Sequence, residues 1–254
     1  MKRILTMAAL LVAAMGSEAL AQQAPPPYPP PPYSRLAPPV YYYPRLYVRA
    51  DGGGAFSADS RFRDVDTNNP ALGEDNRIDG DFGNGVIGDV GIGARFTPWF
   101  RVDLTGSGIF GLKFNGTDNN GLGTTNTATV RTIVGLANFY FDFPVNTIFG
   151  PLSPYFDFGV GGAATHLGRF NSGFTGGSFA ANDQANLAVS VGAGIAYPIT
   201  DRVSIDLAYK LIDIADVRTG NGTVPAVGGG TVAVAPIHTD LAVHTVTLGV
   251  RVGF

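Results

Sequence analysis

The chain has 254 residues, no cysteine, a formal net charge of −3, 45% hydrophobic residues and only 15% charged ones. The missing cysteines exclude a disulfide framework and a lipid carried on cysteine, and the slightly acidic balance argues against a nucleic-acid partner, which would want a basic face. Glycine, at 35 positions, stands at about twice its usual share of ~7%.

Lys2 and Arg3 form a positive start, residues 4–15 are apolar, and Ala19-Leu20-Ala21 offers a small-x-small cleavage site before Gln22. This pattern predicts a cleaved signal peptide over residues 1–21 and export of the remainder. The apolar run is too short to span a bilayer as a helix. Residues 22–44 hold most of the proline, including Pro25-Pro-Pro-Tyr-Pro-Pro-Pro-Pro-Tyr33. Proline fixes φ and donates no backbone hydrogen bond, so this segment reads as an extended periplasmic linker. Its tyrosines (Tyr28, Tyr33, Tyr41, Tyr42, Tyr43) are available to stack on a partner or touch the cell wall.

From residue 45 onward the apolar residues alternate with polar or small ones, the period of a strand with two unlike faces. Eight such segments are predicted. The first, residues 46–56, sets Leu46, Val48, Ala50 and Phe56 outward against Tyr47, Arg49 and Asp51. The second, residues 85–96, sets Val90, Ile92, Ala94 and Phe96 against Asp89 and Arg95. After a Thr97-Pro98-Trp99 turn, Phe100, Val102 and Leu104 oppose Arg101, Asp103 and Thr105. The fourth, residues 129–142, places Ile133, Ala137, Phe139 and Phe141 outward and Asn138, Tyr140 and Asp142 inward.

The fifth begins at Pro154, with Phe156, Phe158 and Val160 opposing Tyr155, Asp157, Gly159 and Gly161. The sixth, residues 186–197, sets Leu187, Val189, Val191 and Ile195 against Ser190, Gly192 and Gly194. Pro198-Ile-Thr-Asp201 turns into the seventh, where Val203, Ile205, Leu207 and Tyr209 oppose Ser204, Asp206 and Lys210. In the eighth, Val246, Leu248, Val250, Val252 and Phe254 share one parity; Thr245, Thr247, Gly249, Arg251 and Gly253 share the other. That last segment is about the ten residues a tilted strand needs to cross a bilayer, and it ends on an aromatic residue.

Connections of alternating length follow. The links near residues 97–99, 143–153 and 198–201 are short; those near 57–82, 111–128, 168–185 and 213–240 are long. Short periplasmic turns and long external loops are the rule for transmembrane barrels, with both termini periplasmic. The predicted fold is all-β, an eight-stranded antiparallel transmembrane up-and-down β-barrel over residues 45–254, located in the outer membrane.

Leu46-Tyr-Val-Arg-Ala-Asp51, Asn138-Phe-Tyr-Phe-Asp142, Pro154-Tyr155 with Gly159-Val-Gly161, and the terminal Phe254 occur in an order and spacing that resembles the small outer-membrane barrel family of alphaproteobacteria, akin to the transmembrane domain of OmpA and to opacity-type surface proteins. The resemblance covers residues 45–254 and ends without a peptidoglycan-binding domain. It implies an abundant surface protein of structural, adhesive, immunogenic, weakly pore-forming or haem-binding type. It also implies that Phe254 is the assembly signal read by the barrel assembly machinery, and that outer-membrane lipid and lipopolysaccharide surround the barrel.

Ten inward charges form the main candidate site: Arg49, Asp51, Asp89, Arg95, Arg101, Asp103, Asp157, Asp206, Lys210 and Arg251. An eight-stranded interior is just wide enough for side chains to fill, and unpaired charges there would be costly to desolvate. A paired, neutralised network that stiffens the barrel is therefore expected. Gly83-Asn-Gly85-Val-Ile-Gly88 matches G-x-G-x-x-G, yet it leads into a strand where a dinucleotide site needs a helix. Asp64-Val-Asp66-Thr-Asn68 has calcium-loop spacing, but Asn69 stands where that loop wants glycine. His166, His238 and His244 could serve a metal, haem or a serine; no motif ties a serine to them, and they read as polar strand-end residues.

The sequence is thus read as a non-enzymatic, cofactor-free outer-membrane barrel with a structural, surface-exposed role and contacts to the cell wall or a host surface. Two alternatives stay open: a narrow porin for ions or very small solutes, and a loop-mediated adhesin or ligand-binding barrel.

Overall fold

Runs of alternating apolar and small or polar residues are satisfied as extended backbone, each strand giving one face to the surroundings and one to the interior. The computed structural model describes residues 46–57, 60–63, 77–118, 125–148, 150–172, 176–226 and 228–254; the expected signal peptide, linker and calcium-spaced loop lie outside them. Eight long strands carry the architecture: β1 (Leu46–Ser57), β2 (Asn84–Thr97), β3 (Phe100–Asp118), β4 (Thr125–Asp142), β5 (Gly150–Leu167), β6 (Asn182–Pro198), β7 (Val203–Arg218) and β8 (His238–Gly253).

Each long strand pairs antiparallel with the next. β8 returns to β1, with Tyr47 opposite Gly253 and Arg49 opposite Arg251. Closure leaves the ring no open edge, the condition for strands to sit in lipid. Following the ladder from Ala50 through β2 to β5 arrives at Leu187 on β6; following it through β8 and β7 arrives at Tyr197, ten residues further along. A ring closes with such a stagger only if its strands tilt, typically by about 35–45°.

The outward parity is apolar or small through the middle of every strand. Phe96, Trp99, Phe143, Phe158 and Phe254 lie exposed toward the turn end, with Leu104, Ile133, Leu207 and Leu248 along the wall. Phe141 stacks on Phe156 at 4.8 Å and Phe139 on Phe158 at 4.9 Å, an aromatic belt across β4 and β5.

The stretches read from sequence as long loops are partly strand. β3 continues to Asp118 and β4 starts at Thr125, while Ser60–Arg63 pairs with Arg77–Asp81 and Gly222–Pro225 with Thr231–Val234. β5 begins at Gly150, before Pro154, because its first residues pair with Val145–Thr147. Above Ala188 and Ile214, the backbone ladder between β6 and β7 gives way to side-chain amides. Asn186 Nδ2 donates to the carbonyls of Ala215 (3.0 Å) and Asp216 (2.9 Å), and Gln184 donates to and accepts from the Arg218 backbone. Asp216 itself, at φ 58°, sits in the bulge that interrupts the β7–β8 ladder between Ile214 and Val217.

Candidate functional site: the lumen

All ten candidate charges point into the ring, each flanked by outward neighbours on its strand. Arg49 Nε donates to Asp51 at 2.7 Å, its Nη1 donates to the Tyr140 hydroxyl at 2.6 Å, and the same nitrogen lies 3.5 Å from Asp103. Arg101, wholly buried, reaches Tyr47, whose hydroxyl donates onward to Asp103 at 3.3 Å. Asn138 Nδ2 completes the Asp103 shell at 2.9 Å, and its Oδ1 accepts from Lys210 at 3.0 Å. Lys210 also faces Asp157 at 3.0 Å, while Arg251 lies 3.6 Å from Asp206 and donates to Ser204. Asp89 faces Asp51 across β1 and β2 and Ser107 across β2 and β3.

One member was not among the ten. Asp142, already placed inward by the alternation, takes both Arg95 (2.8 Å) and Arg101 (3.1 Å). With it, six carboxylates face five cations, so the expected five-against-five balance is corrected to a slight negative excess. The missed signal lay in position: Asp142 is the last residue of β4, where a polar residue also suits a strand end.

Glycines make the room. A Cβ on Gly249 would collide with the Asp51 carboxylate, and one on Gly93 with the Tyr47 ring. Their absence of side chain lets the polar group of the cross-strand partner lean over the neighbouring strand into the lumen.

Above this polar tier the interior changes character on every strand. Inward residues become Ala55 on β1, Ile87 on β2, Ile109, Leu112 and Phe114 on β3, and Val134 and Val130 on β4. They become Ala163 and Leu167 on β5, Ala188 on β6, Ile212 and Ile214 on β7, and Val243 and Leu241 on β8. Five buried phenylalanines close the loop end: Phe62, Phe82, Phe114, Phe170 and Phe179. Phe62 meets Phe114 at 4.9 Å and Phe170 at 5.2 Å, edge to face, and Phe170 meets Phe179 at 5.8 Å. Such pairs combine area burial with favourable ring geometry. The expected lumen was a network of ten paired charges and did not include this tier, in part because Phe62 and Phe179 belong to stretches taken as loops.

Between the tiers a cavity of about 20 Å³ remains beside Arg49, Asp89 and Lys210, and another of about 60 Å³ opens at the turn end beside Arg95 and Arg251. Each has room for a few waters at most. The remaining candidates lie elsewhere. Gly83 to Gly88 enters β2 as a strand. His166 on the outer wall bonds Asp183 at 2.6 Å, and His244 bonds the Tyr209 hydroxyl at 2.5 Å. β5 and β8, which carry these two histidines, are not neighbours in the ring. No group of three or more histidine or acidic residues is placed to hold a metal among the described residues.

Residues 7–254 match the family model described as outer membrane protein beta-barrel domain. No curated protein matches the sequence. Among solved structures the fold is similar to the outer membrane protein OprG from Pseudomonas aeruginosa, at 13% identity and a TM-score of 0.51, covering 84% of this chain and 98% of that one. Neisserial surface protein A matches at 15% identity and TM-score 0.44, covering 82% and 97%. The outer membrane protease OmpT from Escherichia coli matches at 12% identity and TM-score 0.43, covering 83% and 97%.

Proposed function

Since the chain belongs to the outer membrane protein beta-barrel domain family and so to the outer membrane, we propose that its ring is an eight-stranded transmembrane barrel, closed to solutes, whose role is structural and surface-exposed. One observation carries this reading: the lumen is occupied by a paired polar tier at the turn end and an apolar tier under the loops. A pore needs a wetted path, and here hydrogen-bonded charges and packed phenyl rings stand in its way. The porin alternative is the weaker for that reason. The loops are then the part of the protein that meets the environment, and adhesion or ligand binding, if any, acts through them. No chemistry is assigned to His166 or His244, which bond Asp183 and Tyr209 on the outer wall; His166 lies near the end of β5, whereas His244 lies within β8, not at a strand end as expected.

The same reading places both termini and the 98–99 and 199–202 turns in the periplasm. A chain without cysteine makes the test clean. Thr231→Cys at the loop end should react with a membrane-impermeant maleimide on intact cells, and Asp201→Cys at the turn end only after permeabilisation. The opposite labelling would invert the orientation. Phe254, exposed on the lipid side with its N–H bonded to the Leu46 carbonyl at 3.0 Å, is proposed as the assembly signal. Its deletion should lower membrane-fraction yield more than it lowers the stability of detergent-folded protein; unchanged yield in cells would remove that role.

A further inference from the structure

The outer wall is charged unevenly above its apolar band. On β6 to β8 the exposed residues near the loop end include Asp183, Asp216 and Asp240. On β3 to β5 the charged ones are basic, with the exposed Asp81 of the short strand Arg77–Asp81 registered against Asn115 beside them. Lys113 lies exposed between the inward Leu112 and Phe114, and Arg131 lies exposed between the inward Val130 and Thr132. Arg131 is the cross-strand partner of His166, and Lys113 is the partner of Thr129, two residues from Arg131. Exposed Arg169 follows Gly168, whose N–H bonds the Thr129 carbonyl at 2.8 Å. Lys113, Arg131 and Arg169 have no ion-pair partner among the described residues, whereas Arg218 across the ring is paired with Asp216.

The height of this cluster is informative. Outward residues of β4 run Arg131, Ile133, Gly135, Ala137, Phe139, Phe141, so ten positions separate Arg131 from the aromatic belt. At a rise of about 3.3 Å per residue and a tilt of about 40°, that is about 25 Å, the height of a barrel's lipid-facing band. Arg131 therefore sits at the opposite interface, level with the headgroups of the outer leaflet. Cross-strand neighbours lie about 5 Å apart and diagonal ones about 7–8 Å, so the Lys113 and Arg131 side chains reach a common point. Guanidinium and ammonium groups there match a phosphate, which Arg binds bidentately and Lys as a point charge. Further down the wall, beyond the exposed Ile133 and Phe110, a Cβ on Gly106 or Gly135 would meet nothing within 4 Å, leaving the wall shallow where an acyl chain would lie.

We propose that Lys113 and Arg131, with Arg169 at the edge, form a binding site for the phosphate headgroup of a phosphorylated lipid of the outer leaflet. The inference rests on the orientation proposed above, which the cysteine labelling tests independently of any lipid.

The full chain, refolded in neutral detergent and checked for folding by its heat-dependent gel shift, would be titrated with bisphosphorylated lipid A and followed by native mass spectrometry. The Lys113→Gln/Arg131→Gln double variant should bind roughly tenfold more weakly, the loss of charge-assisted bonds to one phosphate. Arg131→Lys should retain most of the affinity, and Arg202→Gln at the turn end should leave it unchanged. Dephosphorylated lipid A should bind wild type and double variant alike, and weakly. Equal affinity of wild type and double variant for the phosphorylated lipid would overturn the site. So would equal binding of the dephosphorylated lipid, or displacement by millimolar inorganic phosphate, which would mark a soluble-anion site.

Discussion

The guanidinium of Arg101 lies 3.7 Å from the ring centroid of Tyr140, with Tyr155 at 4.8 Å on another side and Asp142 accepting from its Nε. A wholly buried cation is thereby met by two π faces and a carboxylate, the combination that offsets its desolvation. Asp142 is the shared anion, because it also receives Arg95.

Replacing Asp142 by asparagine should accordingly cost more than any other single neutral substitution in the lumen. It leaves two cations facing an amide, and breaking a buried pair typically costs about 3–5 kcal/mol. Asp216→Asn, whose partner Arg218 is in solvent, should leave the transition unmoved. Urea unfolding in lipid vesicles compares the two; equal midpoints would show that Asp142 does not hold the polar tier together.

The inward and outward glycines should separate in the same assay. Gly249→Ala forces a methyl against the Asp51 carboxylate, whereas Gly135→Ala adds one into open space on the outer wall. Overpacking of this kind costs about 1–3 kcal/mol, and the outward change should be close to neutral. A neutral Gly249→Ala would mean that the Arg49–Asp51 pair has room to move aside.

On the lipid face, Leu207 and Leu248 lie directly opposite each other on β7 and β8, both exposed. Arginine at either position should destabilise the vesicle-folded protein by roughly 2–4 kcal/mol, as for a charge near the bilayer midplane. The same substitutions in detergent should cost less, since a micelle deforms around a charge more readily. No difference between Leu207→Arg and wild type in vesicles would place this residue outside the hydrocarbon layer.

Much of this was legible because the strand period is two. Once Val246 to Phe254 fixes one face on β8, parity alone assigns Arg251 and Thr247 to the interior, and the same holds for Arg49 on β1 and Asp157 on β5. Parity does not report height. Ile109, Val130 and Ile212 share the inward parity with Arg101, Tyr140 and Asp206, and only the three-dimensional stagger shows that the first set gathers under the loops and the second at the turns. Phe62 and Phe179 were beyond reach for a different reason: each lies on a strand of four or two residues, Ser60–Arg63 and Ser178–Phe179, too short to show an alternation. The amide seam of Gln184 and Asn186 was hidden likewise, as it depends on where the β6–β7 ladder ends.

Whether the lumen is closed is decided by the current through a single reconstituted barrel. Purified protein in a planar bilayer, held at either polarity in concentrated potassium chloride, should show a flat baseline, because the Arg49–Asp103–Lys210 tier and the Phe62–Phe114–Phe170 tier lie in series along one axis. Frequent, reproducible open steps of constant size from the wild-type chain would contradict a closed structural barrel and restore the porin reading.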